Sequence, residues 1–172
     1  MGISFLLNLT KKNYFKTLLS TVYICLSGFF IVVLAGSNKE YNPNILMLLY
    51  ILTWINNTFA YLTGISLGKN QIFKSISPKK SWEGFAGGFV FTMIAAYLSQ
   101  KFFIHIALRD VLFVSIILPF TATLGDLIES HYKREAGVKD SGDFIPGHGG
   151  MLDRMDAFTI TIPAIYIIVN LL

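Results

Sequence analysis

Residues 17–36 read TLLSTVYICLSGFFIVVLAG, twenty positions without a charged side chain. As an α-helix this stretch is about 30 Å long, the thickness of a bilayer's hydrocarbon core. Lys11, Lys12 and Lys16 stand just ahead of it. The apolar run is longer than the core of a removable signal and no small-residue cleavage site stands out, so the N-terminal segment reads as retained. The whole chain agrees with a membrane reading. Of 172 residues, 53% are apolar and 14% charged, where an average soluble chain carries roughly 25% charged residues. That balance also excludes intrinsic disorder. Cys25, the one cysteine, lies inside the same apolar run, which excludes an internal disulfide framework and a cysteine-based metal cluster and leaves packing as its role.

Further apolar segments follow. Residues 45–64 form a second span whose later half carries Asn56, Asn57 and Thr58, polar groups that belong against protein or water rather than lipid. A third span covers about residues 85–99 and a fourth about residues 111–127, the latter ending in a polar face that begins at Asp126. The fifth, residues 157–172, amounts to about 24 Å of helix, so it must start earlier, near Met151, or cross a locally thin region. Residues 1–9 are too short to span and suit the interface. The expected fold class is all-α: a polytopic integral membrane protein of about five transmembrane helices with two cytoplasmic polar loops, forming one domain over residues 1–172.

The basic residues give an independent check, because cytoplasmic loops hold the excess of Lys and Arg. Residues 1–16 hold three, residues 65–84 hold four (Lys69, Lys74, Lys79, Lys80) and residues 128–156 hold four (Lys133, Arg134, Lys139, Arg154). The alternate gaps hold Lys39 in one and Lys101 and Arg109 in the other. Eleven against three places the N-terminus and both polar loops on the cytoplasmic side, and five spans then leave the C-terminus outside.

Seven of the ten acidic residues fall between Asp126 and Asp156. A solvated loop explains such a mixture cheaply, but three details point further. Asp126 follows Thr121, Thr123 and Gly125 at the end of an apolar run, where a charge costs about 2.5 to 3.5 kcal/mol unless paired. It calls for a partner or a cation, unless the helix end simply reaches the headgroups. Glu129, Ser130 and Lys133 share its helix face if the helix continues. Asp153 and Asp156, three apart at the start of the last run, place two carboxylates on one face near the positive end of a helix dipole, which suits capping or a divalent cation. With Asp126 they make an oxygen-rich set that suits Mg²⁺ and not a soft metal. Arg154 between them faces elsewhere and suits a phosphate. Finally, Pro146-Gly147-His148-Gly149-Gly150 permits close approach of backbone N–H groups to an anion; a purely structural turn is its plain alternative. His148 is a candidate hydrogen-bond donor or acid/base there. In the other loop, Ser77-Pro78-Lys79-Lys80-Ser81-Trp82-Glu83-Gly84 reads either as a basic juxtamembrane segment with Trp82 as interfacial anchor or as a phosphate clamp.

These residues resemble a known signature. Ser130-His-Tyr-Lys133-Arg134, Lys139-Asp140-Ser-Gly and Ile145-Pro146-Gly147-His148-Gly149-Gly150-Met-Leu-Asp153-Arg154-Met-Asp156 closely resemble the motif of the CDP-diglyceride synthetases, or phosphatidate cytidylyltransferases. Asn57-Thr58-Phe-Ala60-Tyr61-Leu-Thr-Gly64, the Ser77–Gly84 stretch and Gly125-Asp126-Leu-Ile-Glu129-Ser130 are similar to further family motifs, so the resemblance covers a catalytic region of about residues 55–172. It implies a polytopic enzyme of a bacterial inner membrane or an organelle membrane, working on the cytoplasmic side for phospholipid biosynthesis. Such an enzyme joins CTP to phosphatidate to give CDP-diacylglycerol and pyrophosphate. Two departures stand out. Asn57 occupies a position where the family usually has Asp, which removes one negative charge. Members also usually carry more hydrophobic segments ahead of the matched region, so the expectation is a chain shortened on its N-terminal side.

The reaction needs no protein nucleophile, because the attacking phosphate oxygen is already anionic; the demand is charge neutralisation and in-line positioning of two polyanions. The expected site has Asp126, Asp153 and Asp156 on one or two Mg²⁺ ions. Lys133, Arg134, Lys139, His148 and Arg154 serve the reacting phosphates, and Asn57, Ser77, Lys79, Lys80, Ser130, Gly149 and Gly150 bind substrate. The partners are CTP, phosphatidate and membrane lipid, with no nucleic acid, and Gly84, Gly87 and Gly88 in the third span offer a close-packing face for a homodimer. Three other readings stay open: a CTP-dependent polyprenol or phytol kinase, a cation transporter using Asp126 and Asn57, and an inactive family member.

Overall fold

In a lipid phase a helix satisfies every backbone N–H and C=O within its own segment, and the apolar runs fold accordingly. The computed structural model of the protein describes residues 14–36, 43–73, 77–102, 106–135, 137 and 152–171. Among them the elements in chain order are α1 (Tyr14–Gly36), α2 (Asn44–Leu67), β1 (Gln71–Phe73), β2 (Ser77–Ser81), α3 (Trp82–Phe102), α4 (Leu108–Glu135) and α5 (Leu152–Leu171). Helices α2 and α4 are long and apolar enough to cross a membrane. Large apolar side chains point outward, among them Val32, Trp54, Ile65, Val90, Phe120 and Ile167. A surface of this kind suits lipid and not water, which makes this a membrane protein.

The helices pack in a closed sequence. Helix α1 lies against α5, α5 against α4, α4 against α3 and α3 against α2, while α2 also touches α1 and α4. Leu48, Leu49 and Leu52 of α2, Val114 and Leu118 of α4, and Ile162 of α5 are essentially fully buried where they meet. Pro119 and Pro163 lie inside α4 and α5, a placement that membrane helices tolerate because neighbouring groups take up the freed carbonyls.

Three features differ from the sequence expectation. The loop after α2 is not irregular: β1 and β2 form a short antiparallel hairpin, with Gln71 opposite Ser81 and Phe73 opposite Ser77, so the all-α class acquires one small sheet. Glu83 clamps the base of that hairpin, accepting hydrogen bonds from the Lys69 and Asn70 backbone N–H groups at 3.2 Å and from Asn70 Nδ2 at 2.7 Å. Second, the continuation that the sequence left open beyond the apolar span is realised: α4 runs on to Glu135, carrying two further turns of mostly polar side chains where the cytoplasmic loop was expected to begin. Third, the glycine face of α3 is spent inside the chain. A Cβ on Gly88 would lie 2.9 Å from the Asn56 carbonyl oxygen, and one on Gly84 2.6 Å from that of Ala60, so these positions serve the α2–α3 contact and not a second copy. The early start expected for the last helix is met at Leu152. The expected interfacial segment 1–9 lies outside the described residues.

Candidate active site

At one end of the helices the hairpin folds over the gap between α2 and the α4–α5 pair, leaving a cavity of about 370 Å³. Its construction begins with local signals. Ser81 ends β2 and its Oγ accepts the Gly84 N–H at 3.1 Å, capping the N-terminus of α3 and fixing where the strand turns into helix. Trp82 N–H donates to the Asn70 carbonyl at 2.9 Å, which ties the same corner back to the start of the hairpin. Strand β2 is thereby held with Ser77, Lys79 and Lys80 on the cavity.

The opposite wall comes from α4 and α5. Gly125 allows the close crossing that brings Asp126 and Asp156 to the same cavity: a Cβ there would run into the Asp156 carbonyl oxygen. Thr121 Oγ1 and Thr161 Oγ1, 3.0 Å apart, join the two helices nearer the middle of the bundle. Asp126 is held on both oxygens. Ser130, one turn further along α4, donates to its Oδ1 at 3.1 Å, and the Lys80 ammonium pairs with its Oδ2 across the cavity. The Asp156 carboxylate accepts the Ala157 N–H at 2.6 Å.

The third wall is α2. Asn57 lines the cavity beside Asn56, whose Nδ2 donates to Asn57 Oδ1 at 3.4 Å and whose own Oδ1 accepts from Thr92 of α3, also at 3.4 Å. Asn56 is buried, so this polar pair is braced from behind by α3.

Of the residues singled out from the sequence, the cavity gathers Asn57, Ser77, Lys79, Lys80, Asp126 and Asp156, with Ser130 directly behind Asp126. Lys133 is placed differently: it is buried and pairs with the buried Glu129 one turn back, 3.2 Å apart, off the cavity lining. Arg134 is exposed in the last turn of α4. Asp153 and Arg154 lie in the first turn of α5, with side chains outside the described ones, while Lys139, His148, Gly149 and Gly150 lie outside the described residues altogether. The lining also includes Ile72 and Phe85, which carry no mark in the sequence, and Tyr61 and Thr123, which stand in the quoted stretches without an expected site role. Ser81 was findable, since a Ser just ahead of a helix with an acid in its first turn is a capping signal; the aromatic and apolar lining carries no such mark.

The electrostatics are split by wall. Hairpin lysines face carboxylates, so the cavity offers cations to phosphate oxygens on one side and hard oxygen donors to a metal on the other. Two carboxylates are donors of the kind that hold Mg²⁺, and one of them, Asp126, is paired with the Lys80 ammonium. Among the described residues no group of three or more His, Cys, Asp and Glu gathers as a complete metal site. Glu83, at the polar end ahead of the apolar part of α3, has its carboxyl held below the usual value, chiefly by its own backbone N–H; partial desolvation opposes this, and the Asn70 and Lys69 N–H groups add to it.

Comparison with known proteins gives a consistent answer. The model of the cytidylyltransferase family matches residues 2–172. A phosphatidate cytidylyltransferase of Staphylococcus saprophyticus is 34% identical over 98% of this chain and 67% of its own length. Enzymes of the same name from Staphylococcus epidermidis and Thermotoga maritima are 41% identical over 69% of this chain and 46% of their own, and 35% identical over 94% and 62%. The chain thus spans about half to two-thirds of the length of these relatives.

Proposed function

The chain belongs to the cytidylyltransferase family, and from that premise we propose that it transfers the cytidylyl group of CTP to phosphatidate, giving CDP-diacylglycerol and pyrophosphate. The observation that carries the reading is the convergence of Lys79 and Lys80 with Asp126 and Asp156 on one cavity at the helix ends. In this topology five helices span the bilayer and both polar loops face the cytoplasm, a side favoured by the eleven-to-three division of Lys and Arg. The cavity is built from the hairpin of the first of those loops and the adjoining parts of α2, α3, α4 and α5, so the lipid phosphate reaches it sideways from the headgroup layer while the nucleotide enters from water.

A phosphatidate phosphate oxygen attacks the α-phosphorus of CTP, a new P–O bond forms there, and the bond to the β-phosphate oxygen breaks to release pyrophosphate. No proton need leave the nucleophile. The protein's task is to bring two polyanions together in line. Lys79 and Lys80 neutralise phosphate oxygens from the hairpin side; Arg134, Lys139 and Arg154 extend the cationic set, with His148 and the Gly149-Gly150 backbone donating to oxygens. Lys133, paired with Glu129, orients the polar extension of α4. Asp126 and Asp156, joined by Asp153, would hold Mg²⁺, with Ser130 fixing the orientation of Asp126. When bound, the metal supplies positive charge to the phosphates and to the developing charge on the leaving group. Asn57 takes the place of a carboxylate on the α2 wall and offers a neutral carboxamide to the nucleotide.

The test is release of pyrophosphate by the purified chain in mixed micelles with phosphatidate, CTP and Mg²⁺. The expected result is release that requires both substrates and is not supported by ATP. Formation of CDP and a phosphorylated lipid alcohol in a parallel incubation with polyprenol would instead make the chain a kinase. Ion flux without CTP would make it a transporter.

A further inference from the structure

Lys80 and Asp126 come from different parts of the chain, and their ion pair joins the hairpin wall of the cavity to the carboxylate wall. It is also a conflict. In the proposed reaction Asp126 is wanted by a divalent cation and Lys80 by a phosphate, yet here each holds the other. Each oxygen of Asp126 already has a partner, since Oδ1 accepts from Ser130 and Oδ2 faces the ammonium. A divalent cation approaching that carboxylate meets a positive charge already seated on it. The pair is not locked, however: the two side chains remain 27% and 32% exposed, and a pair so open to water exchanges at little cost.

We propose that Lys80 is a tethered counter-cation that holds Asp126 while the site is empty, and that phosphate oxygens draw it away and so open Asp126 to the metal. The inference rests on the cytidylyltransferase reading and deepens it: that reading names the groups that bind, and the exchange makes their binding interdependent. Metal alone binds weakly because Lys80 competes for the same carboxylate. Phosphate and metal therefore strengthen each other, by the same factor in either order. The hairpin gives this exchange a structural course, since Lys80 lies on β2 between Lys79 and the Ser81 cap. A short movement of its side chain along the cavity carries the ammonium from carboxylate to phosphate, while the strand stays anchored at Ser81 and Glu83.

The experiment measures Mn²⁺ binding to the purified full chain in detergent by electron paramagnetic resonance of the unbound ion, with no nucleotide and no lipid. Lys80→Met removes the charge and keeps the length of the side chain; Lys80→Gln is run beside it so that the result does not hang on one substitution. Both are expected to bind Mn²⁺ roughly tenfold more tightly than the wild type, the factor that about 1.4 kcal/mol of relieved competition gives. Lys80→Arg, which restores the cation, is expected to stay near the wild type, and Asp126→Asn added to Lys80→Met is expected to remove the gain. Mn²⁺ binding unchanged or weakened in both neutral variants overturns the proposal, as does a gain that survives Asp126→Asn. The pyrophosphate assay on the wild type separates the two levels. Absent release sinks the cytidylyltransferase reading; release with unaltered Mn²⁺ affinity in the variants sinks only the exchange.

Discussion

Between α2 and α3, Gly88 lies against the backbone carbonyl of Asn56 and Gly84 against that of Ala60; between α4 and α5, Gly125 lies against the carbonyl of Asp156. Each seam also carries hydroxyls on its inner side. Thr92 donates to the Gly88 carbonyl at 2.7 Å and to Asn56, while Thr161 donates to the Ala157 carbonyl at 2.7 Å and meets Thr121. The two seams are thus built alike, from small residues that let backbones approach and hydroxyls that find partners without water. They differ at the cavity. The α2–α3 seam ends in the carboxamides of Asn56 and Asn57, and the α4–α5 seam in the carboxylates of Asp126 and Asp156. Packing and chemistry are therefore separable: the glycines decide whether the walls come together, and a few charges decide what the walls do.

That separation can be broken by experiment. The largest effect is expected from Asp126→Asn, which should cut cytidylyl transfer about a hundredfold or more, equivalent to about 2.7 kcal/mol of transition-state stabilisation. The protein should stay monodisperse with its thermal midpoint nearly unchanged, because the partly exposed pair with Lys80 is worth little to folding. A collapse of the fold would show that the charged seam is structural after all.

Next come the glycines, read by thermal unfolding in detergent. Gly125→Ala should destabilise by about 1–3 kcal/mol, because the new methyl meets backbone that cannot give way. Gly88→Ala should cost less, since its nearest neighbours, the Asn56 oxygens at 2.9 Å, lie farther from the new methyl than the Asp156 carbonyl oxygen does at Gly125. Gly28→Ala, on a part of α1 with open space around it, should cost nothing. Equal behaviour of all three would erase the role assigned to close packing.

A smaller change tests the support of the charged seam. Ser130→Ala removes one donor from Asp126, and a loss of about 0.5–1.5 kcal/mol in transition-state stabilisation, or a few-fold in turnover, is expected without a change in stability. The least effect is expected from Glu83→Gln at the hairpin base. Since the folded carboxyl titrates below its unfolded value, its stabilising contribution is present above the unfolded pKa and fades as pH falls through the lowered folded one. Wild type and variant should therefore differ in thermal midpoint near neutral pH and converge in acid; a gap that widened in acid would reverse the sign.

Much of this arrangement is written locally. A charge-free stretch of bilayer length can only be a helix in lipid, so residues 17–36 and 45–64 announce themselves. Asp126 is conspicuous because an unpaired charge at the end of an apolar run is costly, and it does prove to be paired, with Lys80. The hairpin is not legible locally, because neither Gln71-Ile72-Phe73 nor Ser77-Pro78-Lys79-Lys80-Ser81 alternates apolar and polar residues over a strand's length; the strands exist because each pairs with the other and Glu83 fastens their base. Lys133 could not be placed from its offset to Asp126 alone, because position along a helix gives the face but not which neighbour wins the side chain, and Glu129 wins it.

The sequence by itself determined the solvent, since composition and the lengths of the apolar runs leave only a membrane, and it determined which residues have the chemistry for phosphates and metal, since those functions require particular charges in particular motifs. Only the tertiary structure decided the partners. Lys80 and Asp126 are 46 positions apart, and nothing in their neighbourhoods says that they meet. The glycines of α3 likewise have no intrinsic address. They join α2 because the chain turns back through a hairpin that sets the two helices side by side, and contacts between distant segments depend on that path rather than on any local preference.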